Sequence, residues 1–242
     1  MARSSARQVF HLFLIKPSHY DDDGYVIQWA RSSIPANTLA ALYGLARDCA
    51  QREVLGKEVE IRITVWDETN TRIRPERIID QIRRDGGHGL VGLVGVQTNQ
   101  FPRAVDIARA LRAADISVCI GGFHVSGCVS MLPSLPADLQ EAMGLGISLF
   151  AGEVEGRLDS LLSAAYHHQL EPLYNFMNDL PGLEGAAVPF LPLDVVRRTS
   201  GLRTSFDAGR GCPFLCSFCT IINVQGRKSR SRNADDVERI GW

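Results

Sequence analysis

The sequence of 242 residues holds no apolar run long enough to cross a bilayer. It has no excess of either charge: 26 Lys and Arg stand against 27 Asp and Glu, a formal net charge of −1. Without a whole-chain basic field, a general nucleic-acid coat protein is excluded, and neither a membrane nor a nucleic acid is expected as partner. No GxGxxG follows the first strand-like segment, so the dinucleotide fingerprint is missing. Internal repeats and low-complexity tracts are missing too. The opening text, MARSSARQVFHLFLIKPSHYDDDG, has a short apolar stretch but no small-residue cleavage site after it; it reads as a first buried strand, not a signal peptide. The six cysteines are not spaced as a disulfide framework. Cys49, Cys119 and Cys128 are scattered, while Cys212, Cys216 and Cys219 crowd into eight residues. Clustered thiols of this kind point to a reducing cytoplasm and to a metal or redox site.

Apolar residues make up 45% and charged residues 22%, ordinary for a globular protein, and the length suits one and a half to two domains. Strand-like and helix-like text alternates through the first two-thirds. Val9–Ile15, Val59–Val65, Leu90–Val96, Ser117–Ile120 and Ile147–Phe150 read as buried strands. Asn37 opens a helix ending at Gly56, Pro75 one closed by Gly86-Gly87, and Pro102 a third; shorter helices fit Ala137–Met143 and Glu155–Tyr166. This alternation predicts an α/β fold, a doubly wound parallel five-stranded sheet in residues 1–167. Ligands of such sheets sit beyond the carboxyl ends of the strands. The loops at Lys16–Gly24, Gln97–Pro102, Gly121–Gly127 and Gly152–Glu155 should therefore share one edge. Residues 168–203, broken by Pro172, Pro181, Pro189 and Pro192, read as a linker with at most one hairpin. Thr204–Gly209 reads as a strand entering the cysteine loop, and Ala234–Ile240 as a last helix.

The informative text is Gly209-Arg-Gly-Cys-Pro-Phe-Leu-Cys-Ser-Phe-Cys219, a Cys-x3-Cys-x2-Cys spacing just after a strand. Three thiolates on one loop suit soft metals. Iron–sulfur clusters ordinarily take four cysteines, so three leave one iron open to an outside ligand. Zinc and a Cys216–Cys219 redox pair are the alternatives; zinc would want a fourth ligand, and no Cys or His follows Cys219, while a redox pair leaves Cys212 unexplained.

Cys212, Cys216 and Cys219, with aromatic Phe218 before the last of them, resemble the signature of the radical S-adenosylmethionine (radical SAM) superfamily. The resemblance implies a 4Fe–4S cluster on the three thiolates, S-adenosylmethionine on the open iron, a 5′-deoxyadenosyl radical that abstracts a substrate hydrogen, and Phe218 packed beside adenine or cluster. It also implies a small-molecule substrate and an electron donor such as flavodoxin or ferredoxin. The front segment resembles the cobalamin-binding domain found upstream of the radical SAM core in one subgroup. There the glycine pair Gly121-Gly122 would let backbone approach the corrin or its nucleotide tail, which adds cobalamin to the cofactors and methyl transfer to carbon to the reactions. The Asp-x-His-x-x-Gly motif of cobalt-ligating domains is broken: His19 lies in the expected loop, but Pro17 and Asp22 replace its Asp and Gly.

Further candidates at the binding edge are His124 as a pocket-lining residue, or else a loop histidine bonded to backbone, and Gln97 and Thr98 as partners of the corrin rim, or else helix caps before Pro102. Asp21–Asp23 read as a solvated acidic loop. The basic run Arg227, Lys228, Arg230 and Arg232 either holds an anion or is a solvated loop, and the solvated reading is preferred. Residues 204–242 match only the first strand, loop and helix of the six-unit partial barrel that the resemblance implies. The chain is therefore expected to be part of a longer product or a decayed frame, with Ser205–Ala208 as an unpaired strand edge. A non-catalytic corrinoid-binding module with a vestigial cysteine loop is the alternative function.

Overall fold

The computed structural model describes residues 7–201 and 205–241. In chain order the strands and helices are β1 (Gln8–Lys16), α1 (Asn37–Gln51), β2 (Val59–Asp67), α2 (Pro75–Arg84), β3 (His88–Leu93), α3 (Phe101–Arg112), β4 (Ser117–Gly121), α4 (Phe123–Met131), α5 (Ala137–Gly144), β5 (Ser148–Ala151), α6 (Leu158–Tyr166), β6 (Leu173–Asn175), α7 (Leu193–Val196), β7 (Gly209–Arg210), α8 (Ile221–Val224), β8 (Arg230–Ser231) and α9 (Ala234–Gly241). The first six strands form one parallel sheet in the order β2-β1-β3-β4-β5-β6.

Both faces of the sheet are covered, which explains why β1 reads as a nearly continuous apolar run. Successive side chains point to opposite faces. Phe13, Ile15, Val91, Val118 and Ile120 pack with Ile78 and Ile82 of α2 and Ile107 and Leu111 of α3. Phe10, Leu12, Leu14, Leu90, Cys119 and Phe150 pack with Leu39 and Ala46 of α1 and Leu158 and Leu162 of α6. The one polar residue inside the β1 run, His11, is buried with its Nε2 2.9 Å from Asp85 Oδ2, a carboxylate that Arg62 also binds.

Three features depart from the expectation. The sheet has a sixth strand: β6 pairs parallel to β5 from inside the proline-rich stretch read as linker. Parts of that stretch are packed down: Phe190 donates its N–H to Ala40 O and meets Tyr43 edge-on at 4.9 Å, while Leu183, Leu191 and Val195 are buried. Residues 123–127, expected as loop, begin helix α4; its apolar residues follow no single stripe, so periodicity could not reveal it. The strand expected from Thr204 to Gly209 is only Gly209–Arg210, paired antiparallel with β8, and Ser205–Ala208 lies outside any strand, so no strand edge is exposed there. Thr204 itself lies outside the described residues.

Candidate functional site

The carboxyl ends of β1, β3, β4 and β5 carry the four loops expected to share an edge, and hydrogen bonds join them. Gln100 Nε2 donates to Pro17 O at 2.8 Å, His124 N to Val96 O at 3.0 Å, and Gly152 N to Ser126 Oγ at 3.0 Å. Beneath this edge, between the sheet and helices α1 and α6, lies a cavity of about 310 Å3. That is at the small end of ligand cavities (~300–1,000 Å3). Leu12, Leu14, Leu90, Cys119 and Phe150 supply an apolar floor. Gly92 makes a recess in it, where an added Cβ would sit in ordinary contact, 3.4 Å from Val94 and 3.5 Å from Leu14. Burial pushes the Cys119 thiol up to about 12, so this wall is uncharged. Replacing Gly92 with leucine should fill the recess: folding stability should fall by no more than the ~1–3 kcal/mol typical of added core bulk, while any ligand of this cavity loses at least ~10-fold in affinity. Chemical denaturation and ligand titration of the same variant check both halves.

The far wall comes from the C-terminal segment. Asp207, Gly209, Arg210, Val224 and Gln225 close the cavity, so the cysteine loop is tied to the same space. The tie is an ionic network. The Arg210 guanidinium donates to Asp207 Oδ2 (2.5 Å) and Glu155 Oε1 (2.6 Å), and lies 3.0 Å from Glu153 Oε2. Arg230 forks onto both oxygens of Glu153 at 2.6 and 2.7 Å. Arg232 donates to Asp207 O and Ala186 O. Burial alone would lower the Arg210 pKa, but the Glu155 charge and hydrogen bond, with Asp207 and Glu153 behind them, raise it overall. The solvated reading of the basic run is therefore corrected: Arg230 and Arg232 are held in buried pairs, and only Arg227 and Lys228 are exposed.

Immediately after Arg210, the loop turns at Gly211, whose φ is +84° and whose added Cβ would lie 2.1 Å from Lys228 O; only glycine fits. Cys212 N then donates to Gly226 O, and Cys219 N to Cys216 O. All three cysteines of the loop are free. Phe214, Leu215 and Phe218 are 70%, 75% and 88% exposed, so the described residues leave Phe218 almost uncovered. Among the described residues no three Cys, His, Asp or Glu side chains are gathered as a metal-holding group. The donor set itself, three unpaired thiols on one bend, suits a soft metal centre in number and chemistry.

The other expected residues are placed as follows. Gly121 and Gly122 line the cavity. His124 does not: its buried ring turns away, with Nε2 3.0 Å from Asp138 Oδ2, Nδ1 3.3 Å from Thr98 Oγ1, and Phe101 beside it at 4.4 Å. Gln97 forms a capping box with Gln100 at the 3-10 turn Thr98–Gln100, and neither Gln97 nor Thr98 lines the cavity. His19 is outside it too. Its loop folds back as a Tyr20–Val26 bridge, with Asp21 closing the turn by accepting from Asp23 N and Tyr25 N. Glu68 clamps this loop, accepting from Ser18 N at 3.0 Å and from Arg103 at 2.6 Å, while Tyr20 Oη donates to Asp106 at 2.6 Å. Glu153, Glu155, Asp207 and Arg210 were not singled out as site residues from the sequence. The only hint was position: the first two follow the glycine after β5, and Arg210 lies two residues before Cys212.

No family model matches the chain. It is 29% identical over 164 residues to the bacteriochlorophyllide d C-8(2)-methyltransferase of Chlorobaculum tepidum, covering 64% of this chain and 33% of that one. It is 28% identical over 141 residues to a putative methylthiotransferase of Methanocaldococcus jannaschii (55% and 29%), and 24% over 133 residues to the hopanoid C-2 methylase of Rhodopseudomonas palustris (54% and 23%). The chain thus spans a third or less of the length of these curated relatives. In fold it resembles the radical S-adenosylmethionine methyltransferase TsrM of Kitasatospora setae. The TM-score is 0.56 at 14% identity for the form with cobalamin and 4Fe–4S cluster bound, covering 97% of this chain and 45% of that one. For the form with tryptophan and a SAM analogue it is 0.50 at 16%, covering 97% and 44%. The chain is similar in sequence to enzymes that transfer methyl or methylthio groups, and in fold to a radical SAM methyltransferase.

Proposed function

We propose that this chain is the corrinoid- and cluster-binding part of a radical SAM enzyme that transfers a methyl group to carbon, with a small-molecule substrate and a flavodoxin- or ferredoxin-like electron donor. The observation that carries the reading is the continuity between the cavity and the cysteine loop: Arg210, which walls the cavity, stands two residues before Cys212. Curated relatives named as methylases and a TsrM-like fold over 97% of the chain support it. Cys212, Cys216 and Cys219 would hold a 4Fe–4S cluster with one iron free for S-adenosylmethionine, and the bound cluster supplies the one-electron reduction of the sulfonium. Phe214 and Phe218, exposed on the same loop, offer apolar surface to adenine or to further polypeptide.

The cavity fits the nucleotide tail of a corrinoid rather than the whole ring. It is apolar, narrow and recessed at Gly92, and its mouth is the loop edge where a ring can lie. The chain's own contributions follow. Leu12, Leu14, Leu90 and Phe150 would keep water from the tail. The Gly121-Gly122 turn keeps side chains out of the mouth. The Glu68–Arg103 clamp holds His19 outside the cavity, so His19 would not supply an imidazole to a bound corrinoid. His19→Ala should accordingly leave the visible spectrum of bound hydroxocobalamin unchanged; a shifted spectrum would refute the clamped-loop account.

The test is anaerobic reconstitution with iron, sulfide and hydroxocobalamin, read by visible absorption and Mössbauer spectra. Four irons and one corrinoid per chain are expected, with Cys216→Ala losing the cluster and keeping the corrinoid. A protein that stays colourless with iron and sulfide defeats the cluster reading. Because the three thiols are not gathered as a ligand group, a second reading stands beside the first: a corrinoid-binding module whose cysteine loop is vestigial. Corrinoid retained without iron would establish it.

A further inference from the structure

The cavity's charged end contains two carboxylates that are only half used. Glu155 gives Oε1 to Arg210, and among the described residues its buried Oε2 meets no hydrogen-bond partner. Asp207 gives Oδ2 to Arg210, and its buried Oδ1 has likewise no hydrogen-bond partner among the described residues, with Arg232 no nearer than 3.9 Å. Both side chains are more than nine-tenths buried, and both residues line the cavity. A buried, desolvated carboxylate oxygen without a donor is costly, and native proteins rarely leave one so. The third carboxylate of the cluster, Glu153, has both oxygens satisfied by Arg230 and serves as an internal contrast.

The charge balance says what kind of donor is wanted. Among the described residues, Glu153, Glu155 and Asp207 face Arg210, Arg230 and Arg232, three charges against three. A cation brought here would upset that balance, and an anion would meet the unpaired oxygens directly. A neutral donor satisfies them without adding charge. Resting on the corrinoid reading above, the geometry points to a specific role: Glu155 and Asp207 form a donor-reading end of the cavity that recognises N–H groups of the ligand's peripheral carboxamides. Because the same two carboxylates hold Arg210, a ligand engaged there bears on the residue that leads into the cysteine loop.

The experiment compares hydroxocobalamin with its monocarboxylic acids, in which one peripheral amide is hydrolysed, by equilibrium dialysis against the full chain. At least one acid is expected to bind wild-type protein ~10-fold or more weakly than the amide, the loss of one charge-assisted hydrogen bond and its replacement by repulsion. Glu155→Gln or Asp207→Asn should bring that acid back to within ~3-fold of the amide, with circular dichroism confirming the fold. Equal binding of all the corrinoids by wild type, or undiminished discrimination by both folded variants, overturns the inference and leaves the corrinoid reading standing. No retention of any corrinoid by folded wild type overturns both. The wild-type comparison needs no variant, so a variant that fails to fold does not shield the proposal.

Discussion

Gly122→Ala should cost the protein at least ~3–4 kcal/mol, enough to leave little folded chain in a domain of ordinary stability. The neighbouring Gly121→Ala should cost no more than ~1 kcal/mol. The contrast comes from backbone alone. Gly122 has φ +148°, and a Cβ there would sit 2.2 Å from Val96 N and 2.6 Å from Val96 O. Those atoms cannot swing aside, because Val96 N donates to Gly121 O and His124 N donates to Val96 O. The close approach fixes the crossing between the ends of β3 and β4, which form the mouth of the cavity. At Gly121 an added Cβ meets only Phe150 at 3.4 Å, an ordinary contact. Urea denaturation followed by circular dichroism checks the pair. A Gly122→Ala midpoint within ~1 kcal/mol of wild type would mean that the β3–β4 crossing relaxes, and that the glycine is needed for a ligand rather than for the fold.

That glycine pair also shows what a sequence discloses. Gly121-Gly122 was legible as a special turn because glycine after a strand signals unusual backbone, and the parallel sheet was legible from five apolar runs separated by helical ones. The sixth strand was not. Leu173–Asn175 is three residues long, sits among prolines, and exists because its backbone pairs with β5, a non-local fact. The cysteine loop was legible by spacing alone. What closes on it was not: Glu153, Glu155 and Asp207 look like any surface acids, and Arg230 and Arg232 like any basic run, until folding brings residues more than 50 positions apart into one network. His124 misleads for the same reason. A histidine after a glycine pair looks aimed at a ligand, yet Asp138 and Thr98, on either side in sequence, take up both its nitrogens. Periodicity reports which face is buried; it carries nothing about which buried charges meet.

Arg210→Met should lower stability by ~3–5 kcal/mol, the cost of removing one partner from a buried ion cluster. Among the described residues three carboxylates share this guanidinium and Glu155 has no other cation at hand, whereas Glu153 keeps Arg230 and Asp207 keeps Arg232 at 3.9 Å. Arg210→Lys should recover part of the loss and no more, since an ammonium cannot match a fork that serves three acceptors at once. Arg52→Met supplies the control. Arg52 also pairs with two carboxylates, Asp48 and Asp159, but it is about half exposed, so its loss should cost under ~1 kcal/mol. The Arg210 pKa is raised on folding, so the stability its charge contributes is fully present below the ordinary arginine value and lost only as pH rises beyond it through the folded one. The gap between wild type and Arg210→Met, so far as it follows this charge, should therefore be flat from pH 6 to 9. Denaturant midpoints across that range test the magnitude. A second readout separates a local from a general effect: alkylation of Cys212, two residues away, should accelerate in Arg210→Met under conditions where the sheet remains folded, and should not change in Arg52→Met. If Arg210→Met unfolds at the wild-type midpoint and its Cys212 reacts at the wild-type rate, the clasp does not hold the cysteine loop to the cavity, and the coupling of the two that underlies the functional reading fails with it.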